Sequence, residues 1–270
     1  MWLDTHCHLD APEFLSDLDR IIDHALENQV EGILLPAVRA HDFVLVQELV
    51  ERYQGRMPNL VYTLGIHPLY TDRAQDKDLK ILEDAATTAI LDPHFVGIGE
   101  IGLDYFVDGL DPRRQAFFYE GQLAIAEALK LPVILHVRRS QDMILKGLRS
   151  RNIVGGIAHA FNGSFQQAEQ FIQLQFKLGF GGAATYERAL QIRRLLKDLP
   201  IESIVTETDS PDIPPAWLRD SDVRRNEPAF VARIAESLAE IRGIAVPEFA
   251  RTVKQNALNV LPRWSNLLAA

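Results

Sequence analysis

Six side chains scattered along the sequence have the chemistry to hold divalent metal. His6 and His8 stand two apart in DTHCHLD, Glu100 lies in GIGEIGLD, His136 closes LPVILH, His159 closes GGIAH, and Asp209 closes IVTETD. In an extended segment alternate residues share a face, so His6 and His8 point together and Cys7 points away. Two imidazoles on one inward face can chelate an ion, although an H-x-H triplet alone also reads as two polar residues on a rim. The neighbours of Glu100 are Gly and Ile. A carboxylate among them is costly unless it is paired or bound to a cation. Its two oxygens can bridge two ions, and the alternative is a buried ion pair with Arg138. His136 or His159 alone reads as a satisfied core or rim histidine. Only beside His6, His8 and Glu100 does the ligand reading prevail. Asp209 suits a ligand that also accepts a proton. Glu207, on the same face one layer deeper, suits a group that orients a ligand, or a structural salt bridge, while Thr206 and Thr208 face outward. Mixed imidazole and carboxylate ligation fits Zn, Mn, Co or Fe, and Mg less comfortably. The set exceeds what one catalytic ion needs, so two are expected. Such a pair activates water, polarises a substrate oxygen and stabilises a leaving group. That is the machinery of hydrolysis.

Something must bring these residues together. Short runs rich in Val, Ile and Leu predict buried parallel strands over Trp2–His8, Gly32–Val38, Leu60–Ile66, Phe95–Leu103, Pro132–Val137, Gly156–Ala160, Lys177–Gly181 and Ser203–Asp209. Helical stripes lie between them. Leu18, Ile21, Ile22, Ala25 and Leu26 form one, and Phe43, Val46, Leu49 and Val50 another. Phe117, Leu123, Ala124, Ala126 and Leu129 predict a long fourth helix. Phe230, Ile234, Leu238 and Ile241 predict the eighth, and a last helix runs from Pro247 to about Val260. Eight strands alternating with eight helices in about 250 residues is the arithmetic of an α/β fold of the (β/α)8 barrel type, whose active sites gather at the strand C-termini. A doubly wound open sheet is the rival, but it would carry a Gly-rich phosphate turn after the first strand. His-Cys-His stands there instead. Five of the eight histidines, His6, His8, His67, His136 and His159, fall at predicted strand ends.

Composition narrows the reading further. No Gly/Ser-rich run or like-charge block divides residues 1–270, so one barrel domain is expected. Acids outnumber bases 37 to 28, for a net charge of −9. That argues against a protein that coats nucleic acid, which would be basic. It is compatible with an enzyme that meets a polyanion at one metal-charged mouth. A single cysteine excludes a disulfide scaffold and fits a reducing, cytoplasmic compartment. The N-terminus lacks a basic region followed by an apolar one and is not read as a signal peptide. No stretch approaches the roughly 20 apolar residues of a membrane span. No exposed apolar seam is legible, and a monomer is expected.

At these residues the chain resembles the TatD family of metal-dependent deoxyribonucleases. DTHCHLD, GIHP, GEIGLDY, LPVILHVR, AHAFNG, ETDSP and RRNEP follow one another in the family's order over nearly the whole length. The resemblance implies a TIM barrel of the metal-dependent hydrolase type with two divalent ions (Mg, Mn or Zn). It places His6, His8 and Asp209 around one ion and His136 and His159 around the other, with Glu100 bridging. It implies cleavage of phosphodiester bonds in DNA, as a 3′-to-5′ exonuclease on single strands. Two departures touch loops over the site. Asp212, then Ile213-Pro214-Pro215, stands where an aromatic usually follows ETDSP, and Arg139 stands where an acid is frequent. The alternative is a two-metal hydrolase of a small ester, lactone, amide or phosphoester.

A phosphodiester needs positive charge and contacts near the ions. Arg138, Arg139, Arg224 and Arg225 are candidate phosphate clamps, because guanidinium matches phosphate oxygens bidentately. Of these, Arg138 and Arg225 are the favoured pair. His67, in GIHP, resembles a family substrate contact. Tyr105, Phe106 and Phe161 offer rings on which bases can stack. Arg113 and Arg114 are expected at the start of the fourth helix, in a solubility role.

Overall fold

A computed structural model describes residues 1–219 and 225–269. Eight strands, β1 (Trp2–Asp4), β2 (Val30–Pro36), β3 (Asn59–Leu64), β4 (Phe95–Asp104), β5 (Val133–Arg138), β6 (Gly156–Ala158), β7 (Phe176–Phe180) and β8 (Ile204–Thr206), form one parallel sheet in sequential order. The sheet curls into a nearly closed barrel. Beyond the ends of β1 and β8 the seam is stitched by Thr5 N–H to Thr206 O (3.1 Å), Asp209 N–H to His6 O (2.8 Å) and a bridge between Cys7 and Ser210. No helix among the described residues is long and apolar enough to cross a membrane.

The helices between strands are α1 (Leu18–Glu27), α2 (Phe43–Tyr53), α3 (Lys77–Ala89), α4 (Pro112–Leu129), α5 (Gln141–Arg149), α6 (Phe165–Gln173) and α7 (Leu190–Asp198). After β8 come α8 (Val231–Arg242), α9 (Val246–Val260) and α10 (Pro262–Ala269). Their starts and stops follow local chemistry. Asp111 caps α4 through Arg113 N–H, with Pro112 in the first turn. Ser164 and Gln167 form a reciprocal capping box on α6. Gly243, at φ 68°, ends α8 in the left-handed conformation that glycine adopts without penalty. In α1, buried Leu18, Ile21, Ile22 and Ala25 recur with helical spacing, whereas Leu26 is exposed.

Two apolar clusters hold the layers. The larger packs the outer faces of the strands against the helices. The smaller takes one residue from each of seven strands (Leu3, Leu34, Val61, Val96, Ile134, Ile157 and Val205) and adds Val260, Leu261 and Trp264. It fills the barrel interior. Trp264 on α10 plugs the N-terminal end, with its Nε1–H on Asn59 O at the start of β3 (3.0 Å). The sequence pattern predicts a last helix ending at about Val260, and α10 beyond it supplies this plug.

Three expectations need correction. Most strands stop short of their predicted C-termini: β1 ends at Asp4, β6 at Ala158 and β8 at Thr206. His6, His8, His159 and Asp209 therefore sit on the loops just beyond, and only Glu100 and His136 lie inside strands. The chain turns away at the ligands, with left-handed φ at Arg139 (54°), Ala160 (43°) and Asp209 (58°), which ends the ladder. Alternation from interior Leu3 would turn His6 outward, so leaving strand geometry after Asp4 is what brings it back in. The second correction concerns α4, whose inner face carries two buried glutamines while Phe117 is exposed. Strand ends leave backbone groups without ladder partners, and a carboxamide supplies both a donor and an acceptor. Gln115 thus bonds Asp104 N–H and O (2.8 and 3.0 Å), and Gln122 bonds Ile66 N–H and O (2.6 and 3.0 Å). The third concerns Arg114. Instead of serving solubility alone, it binds the Ala74 and Thr71 carbonyls and pairs with Asp76, tying α4 to the loop before α3.

Candidate metal centre

The strand C-termini open on a cavity of about 1170 Å³, with Glu100 at its floor and His8, His67, His136, His159 and Asp209 around it. Glu100 is 1% exposed, and its two oxygens face two different groups of imidazoles. Oε2 lies 3.1 Å from His6 Nε2 and 3.5 Å from His8 Nε2. Asp209 Oδ1 completes this side at 3.6 and 3.7 Å from the same two nitrogens. Oε1 lies 3.0 Å from His136 Nδ1, 3.1 Å from His159 Nε2 and 3.2 Å from His67 Nε2. The structure thus brings all six candidate ligands and His67 to one place.

The donor set fits divalent ions. With metal–nitrogen distances of about 2.1 Å, neighbouring ligands of one ion stand roughly 3.0 Å (octahedral) to 3.4 Å (tetrahedral) apart, close to the spacings here. Lone pairs crowded together in a buried site repel unless a cation or protons lie among them. Among the described residues three trios can each converge on an ion: His6, His8 and Glu100; His6, His159 and Asp209; and His67, Glu100 and His136.

The tautomer of His67 decides how the last trio reads. Leu69 N–H donates to His67 Nδ1 at 3.1 Å. A neutral imidazole has one donor and one acceptor, so the proton sits on Nε2 and points into the site. Burial holds His67 in that neutral form, with its pKa down at about 4. His67 is therefore a hydrogen-bond donor toward the cavity and not a third ligand.

Charges around the floor follow from burial and neighbours. Burial alone would raise the Glu100 carboxyl, but the surrounding imidazoles, His67 foremost, hold it well below its usual range. Burial pulls His6 down, and nearby His159 adds to the effect. Asp209 is pushed up to about 6, mainly by burial.

A second layer orients these groups. His136 turns Nδ1 to Glu100 and gives Nε2 to Asp104 Oδ2 at 2.9 Å. Asp104 also accepts from Phe106 N–H and Val107 N–H (2.8 and 3.0 Å). Burial works against its charge, but the His136 bond and these amides prevail and keep its pKa at about 2. Glu207 accepts from Ala160 N–H (2.5 Å) and lies 3.7 Å from His159 Nδ1. Gly179 makes room for it, since a Cβ there would come within 2.1 Å of Glu207 Oε2. Buried Asp4 accepts from His6 N–H (3.2 Å), Thr208 N–H (2.9 Å) and Thr208 Oγ1 (2.6 Å), clamping the seam beneath His6 and Asp209.

The sequence reading missed Asp104. Its signal was available: a second carboxylate, four residues after Glu100, ends a strand buried along its whole length. Replacing it is a direct test. Asp104→Asn is expected to weaken metal retention about ten- to a hundredfold, the usual cost of losing a carboxylate behind a ligating histidine. Chelator competition against the wild type measures this, and equal retention would dismiss the role.

The cavity wall sorts the remaining candidates. Arg138 lines it, stacked at 3.8 Å on the Phe106 ring centroid, and Arg139 lies at 4.6 Å from the same ring. Among the described residues Arg138 makes no pair with Glu100 and instead faces Asp104, at 3.9 Å. Arg225 is the correction. It is not on the cavity wall but pairs with Asp17 (2.7 Å) and Glu227 (2.9 Å), so its guanidinium is already committed. Arg224 lies outside the described residues. Phe161 is 1% exposed and packs on Phe171, which removes it as a stacking platform. Phe106 remains accessible on the rim, and Tyr105 is half-buried.

Comparison with known proteins follows the same line. The family model described as TatD related DNase matches residues 3–262. The chain is 37% identical over 256 residues to the uncharacterized metal-dependent hydrolase YjjV of Escherichia coli, covering 94% of this chain and 95% of that protein. It is 30% identical to the human protein named deoxyribonuclease TATDN3, covering 98% and 96%. The crystal structure of YjjV, a TatD homolog, superposes with a TM-score of 0.89 at 36% identity, over 97% of this chain and 98% of that one.

Proposed function

From its membership of the TatD-related DNase family, as a metal-dependent hydrolase, we propose that this chain cleaves phosphodiester bonds of single-stranded DNA, stepwise from the 3′ end. We further propose that residues 1–270 act as one barrel domain holding two divalent ions, Mg, Mn or Zn. The observation that carries the reading is Glu100, whose two oxygens each face a separate histidine set at the floor of one cavity. His6, His8 and Asp209 would hold one ion and His136 and His159 the other, with Glu100 between them. Bound divalent ions supply positive charge at the reacting oxygens and lower the pKa of coordinated water.

The chain's own residues supply the rest. Arg138, braced by Phe106, presents a guanidinium to a phosphate oxygen. His67 offers its Nε2–H to a second oxygen and fixes the phosphate's orientation. Asp209, beside His6 and His8 at the edge of the floor, is placed to take the proton of the attacking water. Asp104 and Glu207 keep His136 and His159 aimed. The floor lies at the bottom of a cavity rather than on an open surface, which suits one strand better than a stacked duplex. A lone, buried Cys7 is consistent with a reducing, cytoplasmic setting, and we propose a monomer.

A second reading has its own observation. Asp10 and Asp212 line the same cavity. Carboxylates there suit the hydroxyls of a small, uncharged ester better than a further phosphate. One assay separates the two. The metal-reconstituted protein is given 5′-labelled single-stranded DNA, duplex DNA, RNA and a panel of small esters, over Mg, Mn and Zn. A ladder shortening from the 3′ end, absent with His6→Ala, is the expected result. Intact strands with turnover of a small ester would select the second reading.

A further inference from the structure

The RRNEP segment is a sequence motif that the site above leaves unused. Arg225 and Glu227 face α1, where they join Asp17, Arg20 and His24 in an ion network. Asn226 between them is fully buried. Its Nδ2 donates to the carbonyls of Thr208 (2.8 Å), Asp212 (2.9 Å) and Ile213 (3.3 Å). Its backbone N–H donates to Pro211 O (3.1 Å), and its Oδ1 accepts from Glu227 N–H (3.0 Å). Four of these five bonds hold residues 208–213, the segment that carries Asp209.

That segment needs outside support. β8 stops at Thr206, and both Asp209 (58°) and Ile213 (44°) have left-handed φ. Non-glycine residues keep such conformations only where the surroundings over-determine them. A donor in contact with three carbonyls spread over six residues does this. We propose that Asn226 is a positioning residue for Asp209, fixing the loop that presents the carboxylate to the metal centre, and that Arg225 and Glu227 anchor it to α1. The proposal rests on reading Asp209 as a ligand.

The test is a double-mutant cycle read by Mn²⁺ binding rather than by cleavage. Mn²⁺ is titrated calorimetrically into metal-stripped wild type, Asn226→Asp, Asp209→Asn and the double variant. Asn226→Asp keeps the shape but turns a carboxylate oxygen toward the three carbonyls. It is expected to weaken Mn²⁺ binding about ten- to a hundredfold, the range for groups that orient a ligand. The double variant is expected to bind like Asp209→Asn alone. Trp264→Phe, at the far end of the barrel, controls for general stability and should bind like wild type. Wild-type affinity in Asn226→Asp, or losses that multiply in the double variant, would overturn the proposal. If Asn226→Asp does not fold, Asn226→Ser takes its place, and failure of both to fold would show a role in the whole barrel and overturn it too. Because cleavage is not read, an absence of nuclease activity with this coupling intact counts against the proposed function alone.

Discussion

Glu100→Gln is expected to lose at least one equivalent of bound metal and roughly a thousandfold or more in turnover. The neutral amide keeps one acceptor oxygen, so it can serve one histidine set but turns an NH2 donor toward the other. The negative charge that would balance two cations in the proposed site is also gone. Metal assistance is worth several kcal/mol of transition-state stabilisation, and about 4 kcal/mol corresponds to roughly a thousandfold in rate. Glu100→Ala should lose both equivalents. Metal analysis of dialysed protein together with single-turnover kinetics checks this. Two retained equivalents and wild-type turnover in Glu100→Gln would remove Glu100 from the centre.

Trp264→Ala should unfold the barrel from its other end. Trp264 is fully buried, packs among Leu3, Leu34, Val61 and Val96, and donates to Asn59 O. Truncating a buried tryptophan costs about 3–5 kcal/mol. For a domain of this size that lowers Tm by roughly 6–20 °C. Well below the transition, metal content and KM should match wild type, because the plug and the metal centre lie at opposite ends of the barrel. A Tm within about 2 °C of wild type would show that α10 is a passive appendage. Loss of metal at low temperature would show that the two ends are coupled.

Together these outcomes would separate the two halves of the structure, a stable lower barrel and a polar rim built on loops. The rim carries a cost. Asp4, His6, Glu100 and Glu207 are all buried, and burying such groups is unfavourable unless each finds a partner. The second layer meets much of that requirement, although His6 Nδ1 and Glu207 Oε2 have no hydrogen-bond partner among the described residues. Asp104 bonds His136, Thr208 bonds Asp4, and the carboxamides of Gln115, Gln122 and Asn226 satisfy backbone left over where strands end.

The sequence by itself determined the barrel and picked out the six candidate ligands that the fold gathers around one cavity. The alternation of apolar runs and helical stripes repeats eight times, and each candidate ligand is a polar residue within or at the end of an apolar run. Both signals are local: side-chain periodicity reports which face is buried, and a carboxylate or imidazole at such a position needs a cation or partner. What it misassigned depended on pairings across the chain. Arg225 read as a phosphate clamp, yet it binds Asp17, which lies 208 residues away in sequence. Asp104 and Gln115 carried no assignment in the sequence, and acquired one only where β4, β5 and α4 pack together. Phe161 read as a stacking ring until Phe171 covered it. Periodicity shows that a side chain is buried but not what lies opposite it. That is settled when distant segments pack and each buried polar group must find a partner, and only the tertiary structure could decide that Arg138 lines the cavity while Arg225 pairs with Asp17 and Glu227.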